Sequence, residues 1–420
     1  MQSMEIFKFG GASVKDARGV KNFVSTLRKL DKREVLIVIS AMGKMTNAFE
    51  DIVQSYCDKK ENLKQLLAST KNFHFEIINQ LDFSERDFIN AQIESVFSEM
   101  NQFFDRNQKT DYDYIYDQIV SRAEFLSTRI CSAYLNDKGL QNNWLDVREC
   151  IKTDSDFRRA KVDWDKTTRE ILNNVDTGSI TITQGFIGKD TEGNTTTLGR
   201  EGSDYTAGIF AYCLDAKEVS IFKDVPGVLN ADPREFEQTT LIEEISYREA
   251  IEMAFYGASV IHPKTLQPLQ RKGIPLRVRS FLAPEGKGTY VGSELDIVPE
   301  IPCFIVKKNQ ILISVSDKEF HFVMEQDISE IFKFLHEFKV KVNMIQNSAI
   351  SFSLCIEDNF NNFNALMARL KPNYKVKYNE NVTLYTVRHF NEEVVSVLEE
   401  NKEVLLKQRS RETVQIIVKE

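Results

Sequence analysis

The chain has no uninterrupted apolar run near the roughly 18 residues that a membrane-spanning helix requires, so no transmembrane helix and no membrane partner is expected. Its first residues show no basic stretch followed by a long apolar one, so no secretory leader is expected. Cysteine is sparse: six in 420 residues, scattered and never as Cys-x-x-Cys. That pattern points to reduced core thiols and a cytoplasmic protein. Five dispersed histidines offer no zinc-ligand spacing. An excess of positive charge is missing too. Lys and Arg number 54 against 62 Asp and Glu, for a net charge of −8, which argues against nucleic acid or an anionic membrane as partner. What remains is a chain with 42% hydrophobic residues, enough for two or three domains with their own cores.

The densest run of chemistry-bearing residues lies between positions 185 and 234. Gly185 and Gly188 bracket a sharp turn, and Glu192-Gly193-Asn194 reads as a loop tip. Gly199-Arg200-Glu201-Gly202 lets the backbone bend before a helix that Ser203 is expected to cap, with Asp204 at the positive end of its dipole. Val219 to Phe222 reads as a strand, followed by the tight loop Lys223-Asp224-Val225-Pro226-Gly227-Val228 and then Ala231-Asp232-Pro233-Arg234. A glycine loop, a helix N-terminus and an acidic loop at a strand end suit a phosphate and its metal. The plainer reading is an ordinary βα unit with a capped helix, and for Ser203 and Asp204 taken alone it is the better one.

The chain opens on a strand, Met4 to Phe9, then Gly10-Gly11, with Ser13 placed to cap a helix whose apolar residues Val20, Phe23, Val24, Leu27 and Leu30 recur at helical spacing. Val35 to Ile39 is a continuous apolar run, as in a strand buried on both faces. Strand, turn, helix, strand makes a βαβ unit and implies a parallel sheet. Ligands bind at the carboxyl ends of such strands, where Lys8 could reach a phosphate. Ser40 to Asn47 forms a second polar loop at that edge. Ala48 to Leu135 is helical and polar and has no Pro, and within it Glu124 sits among apolar neighbours. Asn143 to Val147, Ser179 to Thr183 and Pro275 to Ser280 read as strands; Ile245 to Phe255 and Pro263 to Lys272 read as helices. From Gln310 a strand, a helix over Ile328 to Phe338, a hairpin turning at Asn347-Ser348, a helix over Phe360 to Leu370 and a strand follow, a ferredoxin-like βαββαβ order.

Four separated motifs resemble those of the aspartate kinases, members of the amino-acid-kinase fold family. Lys8-Phe9-Gly10-Gly11-Ala12-Ser13-Val14 is similar to the family's opening loop, Gly199-Arg200-Glu201-Gly202-Ser203-Asp204 to its Gly-Arg-Gly-Gly-Ser-Asp, Asp224 to Arg234 to its nucleotide loop, and Tyr256 to Pro263 to a fourth, weaker motif. The resemblance implies an α/β fold: a three-layer αβα sandwich with a mainly parallel sheet over residues 1–297, an ACT-like ferredoxin-like module over 303–378, and a shortened second ACT-like segment over 379–420. It implies ATP-dependent phosphorylation of the side-chain carboxylate of L-aspartate, the first step toward lysine, threonine and methionine, with ATP and Mg²⁺ and with a homodimer formed through the ACT-like region. Lys8 and Asp204 are then catalytic; Ser40, Thr46, Glu124, Arg200 and Ser203 bind the amino acid; Lys8, Gly10, Gly11, Lys223, Asp224, Leu229, Arg234 and Ser259 hold the nucleotide. No dedicated metal ligand is implied. Ala12, Glu201, Lys223, Leu229 and Ser259 depart from the family pattern; Glu201 stands for a Gly and Ser259 for a Lys. Two other readings stand beside this one: a kinase for another acidic amino acid, and a non-catalytic amino-acid sensor retaining the fold.

Overall fold

A computed structural model describes residues 4–258, 261–319 and 321–419. Its strands are β1 Glu5–Phe9, β2 Val35–Ile39, β3 Asn142–Leu145, β4 Ile180–Gln184, β5 Ile187–Lys189, β6 Thr195–Thr197, β7 Glu218–Lys223, β8 Glu244–Ser246, β9 Leu276–Ser280, β10 Thr289–Gly292, β11 Cys303–Asp317, β12 Lys341–Asn347, β13 Phe352–Glu357, β14 Tyr374–Arg388, β15 Glu403–Arg409 and β16 Thr413–Lys419. Its helices are α1 Ala17–Leu30, α2 Met45–Cys57, α3 Leu63–Gln80, α4 Asp87–Arg106, α5 Tyr112–Val120, α6 Arg122–Asp137, α7 Val147–Cys150, α8 Trp164–Asn174, α9 Gly202–Leu214, α10 Tyr247–Tyr256, α11 Pro263–Lys272, α12 Glu325–Glu337, α13 Phe363–Leu370 and α14 Glu392–Glu399. Two compact units result. The first holds residues up to Val228, Leu241–Ile251 and Val260–Ile297; the second holds Leu229–Thr240, Glu252–Ser259 and everything from Val298.

The first unit is built on an eight-stranded sheet in the order β3-β4-β2-β1-β7-β9-β10-β8. Neighbours are parallel throughout, except that β9 and β10 run antiparallel. The central strands β1, β2 and β7 are buried and apolar-rich because helices cover both faces, and β2 is a continuous apolar run. Phe7, Phe9, Ile37, Ile39 and Phe222 share one core with the apolar sides of α1 to α6. Side chains alternate along a strand, so Ile6 and Lys8 turn to the other face, where α9 packs on β1, β2 and β7 and is itself flanked by α8 and α11. This is the expected αβα sandwich.

The caps differ from the sequence reading. Asp16, not Ser13, caps α1, its carboxylate accepting the Gly19 N–H at 2.7 Å. Ser13 lies in a 3₁₀ turn and donates to the Phe222 carbonyl at 3.4 Å. Ser203 is inside the first turn of α9, whose preceding residue is Glu201 in a left-handed conformation at φ +54, without a side-chain cap.

The second unit carries a six-stranded antiparallel sheet, β12-β13-β11-β14-β16-β15. The later half of β11 with α12, β12, β13, α13 and the early half of β14 makes the βαββαβ module around Ile313, Ile331, Leu354 and Leu366. The boundary expected after Tyr378 falls inside β14, which continues unbroken to Arg388. Its later half joins the start of β11, α14, β15 and β16 around a separate core of Val387, Val395, Leu398, Val414 and Ile416. β11 thus contributes to both cores, its start to the second and its later half to the first. No helix among the described residues is long and apolar enough to cross a membrane.

Candidate active site

The end of β1, the loops leaving β2 and β4 and the N-terminus of α9 converge at one cavity of about 370 Å³ in the first unit. Its wall includes Lys8, Ser40, Thr46, Glu124, Arg200, Ser203 and Asp204, so every residue expected to be catalytic or to bind the amino acid is brought together. The convergence depends on close backbone approach. A Cβ on Gly11 would stand 2.5 Å from the Ala41 carbonyl oxygen, and one on Gly185 would stand 2.4 Å from the Ser203 Cβ; only glycine lets these loops meet.

Lys8 projects from β1 toward α9 and meets Asp204 in its first turn, Nζ to Oδ1 at 2.6 Å. Both side chains are buried, and Lys223, from the end of β7, approaches the other oxygen at 3.3 Å. Burial alone would raise the Asp204 carboxyl, but Lys8 and Lys223 outweigh it and hold the group down at about 2. Burial likewise pulls the Lys223 ammonium down, and Asp204 and Glu201 reverse that, leaving it raised. Glu201 has a raised carboxyl, first from burial and then from the neighbouring Asp204 charge. Acid and base thus alternate from Lys8 through Asp204 to Lys223 and Glu201.

Glu124, in the first turn of α6, is in the opposite situation. It is wholly buried, which pushes its carboxyl up to about 8 against the opposing pull of Lys8 and the Ala41 N–H. Its Oε2 has no hydrogen-bond partner. An unpartnered buried carboxylate oxygen on a cavity wall is costly unless a ligand satisfies it, and the natural complement is an ammonium.

The residues expected around the nucleotide are more dispersed. Gly10 and Gly11 adjoin Lys8, and a Cβ on Gly10 would stand 3.4 Å from the Lys8 Nζ. Lys223 reaches Asp204, and the exposed Asp224 follows it. Leu229 and Arg234 fall in the stretch grouped with the second unit. There the Arg234 guanidinium forms a fork with Asp232, at 3.0 Å from Nε and 2.6 Å from Nη2. Ser259 lies outside the described residues.

Tyr116, Arg158 and Phe186 also line the cavity, and sequence reasoning did not single them out. Tyr116 donates to Glu50 Oε1 at 2.7 Å. Arg158 and Phe186 are at φ +67 and +73, a backbone state that their residue types do not announce. Among the described residues no three His, Cys, Asp or Glu side chains cluster so as to hold a metal ion.

Comparison with known proteins follows the same lines. The pattern of the Amino acid kinase family matches residues 4–280. The chain is 32% identical over 362 residues to lysine-sensitive aspartokinase 3 of Escherichia coli K12, covering 85% of this chain and 79% of the relative. It is 29% identical to aspartokinase 1, chloroplastic, of Arabidopsis thaliana, covering 84% of this chain and 63% of that one. The structure of E. coli aspartokinase III in complex with aspartate and ADP superposes with a TM-score of 0.81 at 26% identity, over 99% of this chain and 96% of the other. The same enzyme with lysine and aspartate gives 0.83 at 28%, with the same coverage.

Proposed function

The chain belongs to the amino acid kinase family and, within it, to the aspartokinases, and from its site we propose that it transfers the terminal phosphoryl group of ATP to the side-chain carboxylate of L-aspartate. The observation that carries this reading is the pairing, in one cavity, of a buried Lys8–Asp204 ion pair with a Glu124 carboxylate whose Oε2 has no partner. The product, 4-phospho-L-aspartate, is an acyl phosphate, and its formation opens amino-acid biosynthesis toward lysine, threonine and methionine.

The acceptor is a carboxylate already ionised near neutral pH, so no general base is needed. The work is to hold two anions together and to spread the charge of the group in flight. Lys8 neutralises that charge, and Asp204 fixes the ammonium from behind without becoming protonated. Glu124 receives the α-ammonium of aspartate. Arg200 forms a fork to its α-carboxylate, and Ser40, Thr46 and Ser203 complete the acceptor's hydrogen bonds. Backbone N–H groups at Gly10, Gly11 and the start of α9 face phosphate oxygens. Asp224, Leu229, Arg234 and Ser259 are assigned to the nucleotide.

The donor set suits a Mg²⁺ carried in on the nucleotide phosphates and its own waters, which needs no cage of protein ligands. When bound, that ion neutralises phosphate charge. The second unit is assigned a regulatory role and a homodimer contact: β12 is an edge strand with Ile345 exposed, a surface that another chain's edge can pair with. The cysteines are scattered and never spaced as Cys-x-x-Cys, in keeping with the cytoplasmic setting assigned here.

The test is acid-dependent release of ADP from ATP, with aspartate, glutamate and N-acetylglutamate offered in turn. Release with aspartate alone is expected. Release with a different acid would move the substrate, and release with none would leave a binding protein.

A further inference from the structure

Arg158 has no part in the chemistry assigned so far, yet the fold holds it at the cavity in a conformation that L side chains rarely adopt, φ +67. Its backbone N–H donates to Asp117 Oδ2 at 3.0 Å. Asp117 is completely buried and also accepts from Thr197, at 2.8 Å from the backbone N–H and 2.7 Å from the hydroxyl. A buried carboxylate on α5 thus ties β6 and the Arg158 turn together. The Arg158 carbonyl oxygen lies 3.1 Å from where a side chain on Gly199 would begin, so this turn packs on the one that carries Arg200. Two guanidiniums from separate loops therefore border one cavity.

Packing does not explain why the residue is an arginine. The clamp is made by a backbone N–H, which glycine would supply without strain. The guanidinium lies over the Tyr116 ring, 4.4 Å from its centre, and meets Asp113 Oδ1 at 3.1 Å. Both members of that ion pair are about half exposed, and such pairs contribute little to stability. Strained backbone persists where function requires a side chain in a given place. The aromatic face holds the guanidinium plane in position, so little freedom is lost when an anion takes the place of Asp113.

We propose that Arg158 is a second carboxylate-binding guanidinium of the acceptor pocket, working with Arg200 to select an amino acid that bears two carboxylates. The proposal rests on the aspartate reading above. One planar fork binds one carboxylate well, and a substrate that must present its second carboxylate to a phosphoryl group gains orientation from another cation at the rim.

The experiment compares steady-state kinetics of wild type, Arg158→Gly and Arg158→Lys with aspartate and ATP varied separately. Glycine suits the positive φ, so Arg158→Gly keeps the Asp117 contact and melts no lower than wild type. Its KM for aspartate rises about tenfold or more, the range for losing a charge-assisted hydrogen bond, while KM for ATP and kcat stay within about twofold. Arg158→Lys, which keeps the charge without the fork, falls between and guards against a folding artefact. An unchanged aspartate KM in Arg158→Gly, or a rise confined to ATP, overturns the proposal. A wild type with no aspartate-dependent turnover sinks the substrate reading itself and this proposal with it, an outcome distinct from an active wild type whose variant is unaffected.

Discussion

Replacing Glu124 by glutamine keeps the shape of the side chain and removes its charge, and the structure sets the size and sign of the result. Burial raises this carboxyl from 4.5 to about 8. At about 1.36 kcal/mol per pKa unit that is a ceiling of about 5 kcal/mol. Mutational costs of burying a polar group run lower than that ceiling, so about 2–3 kcal/mol is the working expectation. The native pKa lies above the unfolded one, so the contribution is fully present below pH 4.5 and is lost as pH rises through about 8. Wild type without ligand should lose stability between about pH 4.5 and pH 8 and level off above, and Glu124→Gln should show no such loss. Urea melts at several pH values measure this directly. Aspartate should reverse the wild-type loss, because its ammonium stabilises the ionised form. The aspartate KM of wild type should fall as pH rises toward 8, and that of Glu124→Gln should be high and flat. A stability difference between the two proteins that does not vary with pH would refute the reasoning, because Glu124 would then be ionised without a ligand.

Three further outcomes follow from buried charge elsewhere. Lys8→Ala should lower turnover by about 10²–10³-fold, as loss of a transition-state charge partner does. It should also lower stability at neutral pH by about 1–3 kcal/mol, read by urea denaturation, since Asp204 keeps only Lys223. Glu201→Gly should stabilise the protein by about 1 kcal/mol through relief of the left-handed backbone. That gain should widen from pH 5 to pH 8, because the raised carboxyl is penalised once ionised, and thermal melts at the two pH values read it. His74 is fully buried with its imidazole lowered from 6.5 to about 4 by desolvation. Stability should fall as pH drops from 6.5 toward 4, by up to about 3 kcal/mol, and His74→Leu should flatten that fall in denaturant titrations.

Much of this was legible in the chain because it is written in backbone chemistry. Strands β1, β2 and β7 are buried and apolar-rich and read as strands, and β2 is a continuous apolar run. Gly11 and Gly185 read correctly as turn residues because close approach leaves no alternative there, whereas Gly188, expected to close the turn with Gly185, lies inside β5. Strands β8 and β10 were missed because they are three and four residues long. Strand β15 was missed because its three apolar residues, Val404 to Leu406, are flanked by charge and lie on an exposed sheet edge. Lys8 read as a strand-end lysine able to reach a phosphate; its burial against Asp204, some 200 positions later, had no local signal. The caps misled for a related reason. Ser13 and Ser203 have the right chemistry for a helix start, but Asp16 and the left-handed Glu201 occupy the positions that decide it. Arg158 and Phe186 had no signal at all, since a positive φ at an arginine or a phenylalanine is imposed by the contacts around it.

The central claim is that a phosphoryl group is transferred to the side-chain carboxylate of aspartate. Hydroxylamine traps an acyl phosphate as a hydroxamate at the carbon that carried it. Incubation with ATP, Mg²⁺, aspartate and hydroxylamine should give aspartate β-hydroxamate, identified by mass spectrometry against the α isomer, and should give none with glutamate or without ATP. The α isomer, or no hydroxamate while ATP is consumed, would contradict the account.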